Sequence, residues 1–268
     1  MPDAAVRGGR IHYERAGRGP LLVALHGIGG SARSWRHQLD GLADDFTVVA
    51  WDARGYGGSS DPDRELTIDD YADDVAALLD HLDAPRAHLL GISWGGVIAL
   101  AAYRRHPARV ETLLLADTYR GGGTLPEPER SARLARRLAV TEGLTPAELA
   151  RQRTPALFTA GVDAATRAEA EAIMAAIHPA GYRQAAIALA HADESAVLPR
   201  IAVPTLVLSG DQDGVLPLPE SETLARAIPG AQLVVIPNAG HASNQEQPAA
   251  FNAAVRAFLR APRAALPA

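Results

Sequence analysis

Six short, almost uninterrupted apolar runs limit what this chain can fold into. They are LLVALHG (21–27), FTVVAWD (46–52), AHLLGIS (87–93), VETLLLAD (110–117), PTLVLSGD (204–211) and AQLVVIP (231–237). A strand with one wet face alternates apolar and polar residues, whereas continuous runs of this length suit strands buried on both faces, as in a parallel sheet. Amphipathic segments lie between the runs. In TIDDYADDVAALLDHL, Ile68, Tyr71, Val75, Leu78, Leu79 and Leu82 recur at helical spacing, and Thr67 with Asp70 three residues on marks the helix start. QPAAFNAAVRAFLRA (247–261) predicts a C-terminal helix, and the more alternating RIHYERAG an edge strand. Strand and helix therefore alternate, which predicts an α/β fold with a mostly parallel central sheet flanked by helices.

Residues 119–195 break this rhythm. The segment opens with YRGGGTLPEPE and becomes rich in alanine and arginine, with helical periodicity and no strand signal. It predicts four short helices, near 129–140, 145–157, 164–177 and 182–190. The expected organisation is a core in two parts, 1–118 and 196–268, with a small helical cap inserted at 119–195. A length of 268 residues suits one such domain. The closing APRAALPA (261–268) is expected to fray.

Composition removes several function classes. The chain has no cysteine, so disulfides, thiolate catalysis and cysteine zinc sites are excluded together. A formal charge of −5 gives no basic face, so nucleic acid is not an expected partner. No apolar run approaches the roughly 18 residues of a membrane helix, and the N-terminus has no apolar signal-peptide core. The expectation is a cytoplasmic protein with no membrane partner. None of the nine histidines forms a pair at metal-ligand spacing, so neither metal nor cofactor is expected.

The chemistry is carried by GISWGG, residues 91–96. Gly91-x-Ser93-x-Gly95 follows an apolar strand and opens the helix GGVIALAAYRRHP. A serine at a sharp strand-to-helix turn projects its hydroxyl above the sheet, and glycines let the two backbones approach closely. The helix N-terminus favours developing negative charge there. The competing reading is a serine that only caps the helix. Context favours a nucleophile, because a serine hydroxyl needs a base and the base an orienting acid. Both stand just after apolar runs: Asp213 in SGDQDGVLP and His241 in PNAGHASNQEQP. Asp211 competes for the acid role and Asp117 is a remoter candidate. Gly210, Asp213, Val215 and Pro217 match a glycine, an aspartate three residues on, then an apolar residue and proline, which favours Asp213 and leaves Asp211 to the turn. Two backbone N–H groups must face the developing oxyanion. They are assigned to Trp94, the residue after the serine, and to Ile28 in the HGIGG loop. His26 and Gly27 shape that loop. The Trp94 side chain either packs beneath the helical segment or lines the acyl pocket. Asp52 and Arg54, in WDARGYGGSS (51–60), read as structural.

Together HGIGG, WDARGYGGSS, GISWGG, GDQDGVLP and NAGH resemble the α/β-hydrolase fold, in which serine, aspartate and histidine follow in this chain order. The region after the insertion, PAGYRQAAIALAHAD, IAVPTLVLSGDQD and GHASNQEQPAAFNAAVRAFL, is similar to 3-oxoadipate enol-lactonases. The resemblance implies a cofactor-free serine hydrolase that opens a carboxylate-bearing enol-lactone, with Ser93, Asp213 and His241 as triad and Ile28 and Trp94 as oxyanion donors. It departs from that family where an R-W-F segment is usual: here ARQRTPALFTAG holds no tryptophan. The elbow tryptophan also resembles prolyl aminopeptidases and medium-chain polyhydroxyalkanoate depolymerases, but the HGGPG loop of the former is absent. Epoxide hydrolases and dehalogenases of this fold carry aspartate at the elbow, so Ser93 argues against both.

The expected function is hydrolysis of a small-molecule ester or lactone through an acyl-enzyme. The alternatives are C–C bond hydrolysis or perhydrolysis on the same triad, and a non-enzymatic binding protein that retains the fold. A substrate carboxylate needs a cationic partner. Arg33, close to HGIGG in sequence, and Arg153, in the stretch that replaces R-W-F, are favoured over Arg120 and Arg151.

Overall fold

The structure, a computed structural model, describes residues 3–261 apart from the side chains of Val140 and Thr141. Of the stretch expected to fray, 262–268 lie outside the described residues. Eight strands form one sheet: β1 (Asp3–Val6), β2 (Gly9–Ala16), β3 (Leu21–Leu25), β4 (Thr47–Trp51), β5 (Ala87–Ile92), β6 (Val110–Ala116), β7 (Thr205–Gly210) and β8 (Gln232–Ile236). Their order is β1-β2-β4-β3-β5-β6-β7-β8. The β1–β2 and β2–β4 pairs are antiparallel and the others parallel.

Ten α-helices are described: α1 (Arg36–Gly41), α2 (Ile68–His81), α3 (Trp94–Arg105), α4 (Glu127–Gly143), α5 (Pro146–Arg153), α6 (Ala164–Ala175), α7 (Pro179–His191), α8 (Leu218–Ala227), α9 (Ser243–Glu246) and α10 (Pro248–Arg260). Period-two alternation in the strands divides the interior into two cores. Val23, Leu25, Val49 and Trp51 face Val75 and Leu78 of α2 and Val97 of α3. Leu22, Ala24, Val48 and Ala50 face Trp35, Leu39 of α1 and Phe251 and Val255 of α10. The central strands β4, β5 and β7 are buried along their whole length, which accounts for their unbroken apolar sequence. The start of α2 is a reciprocal capping box: the Thr67 hydroxyl accepts from the Asp70 amide, and the Asp70 carboxylate accepts from the Thr67 amide.

Two strands differ from expectation. RIHYERAG is not the edge, because β1 pairs outside it through the hairpin turn at Gly8, whose φ of 79° suits glycine. AQLVVIP supplies the true edge on the other side, and β8 is not buried on both faces. Leu233 and Val235 are 36% and 39% exposed, while Val234 and Ile236 pack on the core beneath α10. Helices α1 and α8 fall in stretches for which the sequence reading proposed no element.

Between β6 and β7 the chain forms only helices, α4 to α7 with short 3₁₀ turns, close to the four expected. The segment docks on the core through a glycine pair: a Cβ on Gly181 would stand 1.9 Å from the Gly55 carbonyl oxygen. Only glycine in α7 allows that approach to the 51–60 turn.

Candidate active site

The apolar run of β5 ends at Ile92 and α3 begins at Trp94, which leaves Ser93 alone to make the turn. It does so at φ 54°, ψ −119°, a conformation that costs an L-residue on the order of 1–3 kcal/mol. Its surroundings fix it there. The Ser93 amide donates to the Ala116 carbonyl at 2.9 Å, and the Thr118 hydroxyl donates to the Ser93 carbonyl. A Cβ on Gly95 would stand 2.0 Å from the Leu25 carbonyl oxygen, and one on Gly91 2.2 Å from that of Gly95. The two framing glycines therefore let α3 start directly against β3.

His241 follows β8 and Asp213 follows β7, so the parallel sheet delivers both to the same end as Ser93. His241 Nε2 lies 3.0 Å from Ser93 Oγ, and His241 Nδ1 lies 2.8 Å from Asp213 Oδ2. The other Asp213 oxygen accepts the amides of Val215 and Leu216 at 2.7 and 2.9 Å. A carboxylate held this way accepts a hydrogen bond from Nδ1–H and so leaves the Nε2 lone pair toward the serine. Asp211 is exposed and, among the described residues, accepts only the Ala239 amide, at 3.1 Å. Asp117 is buried behind the two loops. It accepts the Gly210 amide at 2.8 Å and both the hydroxyl and amide of Ser243, and makes no hydrogen bond to His241. Burial pushes its carboxyl up to about 7, opposed by the charge of His241.

The HGIGG loop leaves β3 beside the serine. Gly30 N–H donates to the Gly27 carbonyl at 3.0 Å, closing a turn around Ile28 and Gly29. Among the described residues, neither the Ile28 nor the Trp94 amide donates to a protein acceptor. His26 is wholly buried and makes two hydrogen bonds: Nδ1–H donates to the Gly27 carbonyl at 2.8 Å, and Nε2 accepts the Ala53 amide at 3.1 Å. Burial holds its pKa below the usual histidine value, which fits the neutral tautomer. This imidazole ties the HGIGG loop to the 51–60 turn. In that turn Asp52 accepts the amides of Ala32 and Gly58, and Arg54 pairs with the buried Asp74 at 2.7 Å, so both are structural as expected. The Trp94 side chain packs beneath, with ring centroids 4.8 Å from Tyr71 and 5.6 Å from Tyr56, and does not line the site.

A cavity of about 70 Å³ opens over Ser93 and His241. Its floor is the HGIGG loop, and its walls come from the 127–191 helices, including Met174 and Tyr182. Arg153 lines it, as does Arg137 of α4, which the sequence reading did not single out. Arg33 does not reach it. The chain turns at Ser31 into a 3₁₀ helix, and Arg33 is exposed in a separate groove beside Glu14, Arg15 and Glu169. Arg151 is exposed, and Arg120 faces Glu220 at 3.8 Å. The 127–191 helices are also tied to the histidine loop. Ala242 N–H donates to the Leu157 carbonyl at 2.9 Å, and the Glu246 carboxylate accepts the amides of Thr159 and Gly240 at 3.0 and 2.8 Å. Among the described residues no cluster of histidine and acidic side chains is placed to hold a metal ion, and no helix is long and apolar enough to cross a membrane.

Comparison with known proteins gives the same fold. The sequence profile of the family described as alpha/beta hydrolase fold matches residues 20–248. The chain is 34% identical over 244 residues to 3-oxoadipate enol-lactonase 2 of Acinetobacter baylyi, covering 90% of this chain and 89% of that one. Among solved structures it is similar to a thermophilic esterase from Thermogutta terrifontis, with TM-score 0.90, 31% identity and 97% of both chains covered. It is also similar to the enol-lactonase from Burkholderia xenovorans, with TM-score 0.89, 31% identity, and 97% and 100% of the two chains covered.

Proposed function

The chain belongs to the α/β-hydrolase fold family, and we propose that within it the protein cleaves a small carboxylic ester or lactone through a serine acyl-enzyme. One observation carries this reading: the unbroken contact from Ser93 Oγ to His241 Nε2 at 3.0 Å, and from His241 Nδ1 to Asp213 at 2.8 Å, at the floor of a cavity. Ser93 attacks the substrate carbonyl while His241 takes its proton. Asp213 holds the imidazole in the accepting tautomer and stabilises the imidazolium. The Ile28 and Trp94 amides receive the oxyanion. The tetrahedral intermediate collapses, and His241 gives its proton to the leaving alkoxide. In a lactone that oxygen remains tethered to the acyl group. His241 then activates water, which attacks the acyl-enzyme and frees the acid and Ser93.

The segment 119–195 serves as the cap over this site. Its small cavity suits a short acyl group, and Arg153 and Arg137 on its walls suit a substrate that carries a carboxylate. The enol-lactonase relatives support the lactone, and the esterase neighbour supports the broader ester.

The test is a panel of neutral short-chain p-nitrophenyl esters and of lactones with and without a carboxylate, run on wild type and Ser93→Ala, with a fluorophosphonate probe alongside. Wild type should turn over at least one class and take one adduct at Ser93, and the variant should do neither. Labelling or turnover that persists in Ser93→Ala rejects the serine mechanism. Equal turnover of lactones with and without a carboxylate rejects the anionic substrate and leaves the ester reading.

A further inference from the structure

Asp117 is a buried ionisable group that the proposed mechanism does not use. It follows β6 with φ 43°, a left-handed conformation that aspartate tolerates better than most residues. Its amide donates to the Leu208 carbonyl at 2.9 Å, which fixes it to the next strand. Its carboxyl reaches two loops. One oxygen accepts the amide of Gly210, three residues before Asp213, at 2.8 Å. The other accepts the amide and hydroxyl of Ser243, two residues after His241. The adjacent Thr118 hydroxyl donates to the Ser93 carbonyl. Two consecutive residues thus touch the chain segments that carry the nucleophile, the base and the acid.

Resting on the serine-hydrolase reading, we propose that Asp117 is a positioning residue for His241, and that its ionisation supplies a second buried negative charge that favours the imidazolium. The geometry gives the positioning. A turn of this carboxyl would move the Gly210 and Ser243 backbones and hence both ends of the His241–Asp213 contact. Electrostatics gives the rest. The charged groups acting on Asp117 are His241, from the loop after β8, and Asp213, from the loop after β7. His241 as a cation favours the Asp117 carboxylate, and the Asp213 carboxylate opposes it. By reciprocity, an ionised Asp117 makes His241 harder to deprotonate. Burial places the Asp117 carboxyl at about 7, so the charge it presents to the His241 loop changes across the neutral range.

Two measurements test this. The first is the pH profile of kcat/KM for p-nitrophenyl acetate in wild type and Asp117→Asn. The neutral amide keeps the size of the side chain and removes the charge, so the acid limb should move to lower pH. The shift should be about half a unit or more, below the 1–3 units of a carboxylate in direct contact. The second is NMR titration of the His241 imidazole in wild type, which needs no variant to fold and no turnover. It should show two inflections, one from each group. An acid limb that stays in place while kcat falls marks Asp117 as merely structural and overturns the proposal, as does a single-step His241 titration. Persistent turnover in Ser93→Ala would sink the serine-hydrolase reading instead, and leaves the NMR result to stand or fall alone.

Discussion

Ser93 should make the protein less stable than it would be with glycine in its place. At φ 54°, ψ −119° any side chain clashes with its own backbone, at a cost on the order of 1–3 kcal/mol. Ser93→Gly and Ser93→Ala both remove the hydroxyl and its hydrogen bond to His241, so the difference between them isolates the strain. Alanine keeps the Cβ and the strain. Glycine releases it but gives the unfolded chain more freedom, worth about 0.4–1 kcal/mol. Ser93 is only partly buried, so its Cβ contributes little packing to offset this. The net expectation is Ser93→Gly more stable than Ser93→Ala by roughly 1 kcal/mol. At an ordinary position in a helix or strand the order is the reverse, with alanine ahead by about 0.5–1 kcal/mol. Equilibrium urea unfolding of the two inactive variants, compared at equal m-value, reads the sign directly. If alanine proves the more stable, the turn at Ser93 is not strained and this account of its conformation fails.

Asp213→Asn should lose kcat by up to about ten-thousandfold, as when a triad acid can no longer fix the tautomer. Asp211→Asn, which touches only the Ala239 amide, should stay near wild type, and steady-state kinetics on one ester distinguishes them. Arg153→Ala should raise KM for a carboxylate-bearing lactone about tenfold or more, the range of a lost charge-assisted hydrogen bond. Arg33→Ala should change it little, and equal effects would mean that the cavity does not select charge. Gly95→Ala drives a methyl into the Leu25 carbonyl at 2.0 Å. Backbone cannot step aside as a side chain can, so the loss in urea unfolding should reach about 3 kcal/mol, the upper end for overpacking.

Much of this molecule could be read in the chain because burial and chemistry leave local marks. Strands β4, β5 and β7 are covered on both faces, and unbroken apolar runs follow from that alone. Ser93, Asp213 and His241 each sit just past such a run, where a parallel sheet must bring strand ends together. Position within the sheet leaves no comparable mark. β8 is as apolar as its neighbours, so nothing in QLVVI tells that Leu233 and Val235 lie on an open edge. β1 is four residues long, too short to show alternation. The positions of Arg33 and Arg137 are hidden for a different reason. Arg33 is near HGIGG in sequence, but the turn at Ser31 carries it to another surface. Arg137 is far from every motif, and only the packing of α4 against the rest of the insertion brings it over Ser93. Asp117 stands out in the sequence as a rival acid, while its contact with two loops at once exists only in three dimensions.

The bonds between Leu157 and Ala242, and from Glu246 to Thr159 and Gly240, bear on how such a protein can be rebuilt. An insertion between two strands invites exchange, since its ends lie at one place on the sheet. Here, however, the inserted segment holds the histidine loop by its main chain: the Leu157 carbonyl accepts the Ala242 amide, and the Thr159 amide donates to the Glu246 carboxylate that also accepts from Gly240. A graft that matched the ends and replaced the interior would leave the Ala242 amide and the Glu246 carboxylate without their partners. The histidine loop would then be free to drift from Ser93. Recombination of this scaffold therefore has to treat residues 154–162 as belonging to the base rather than to the roof, and to place its crossovers outside them.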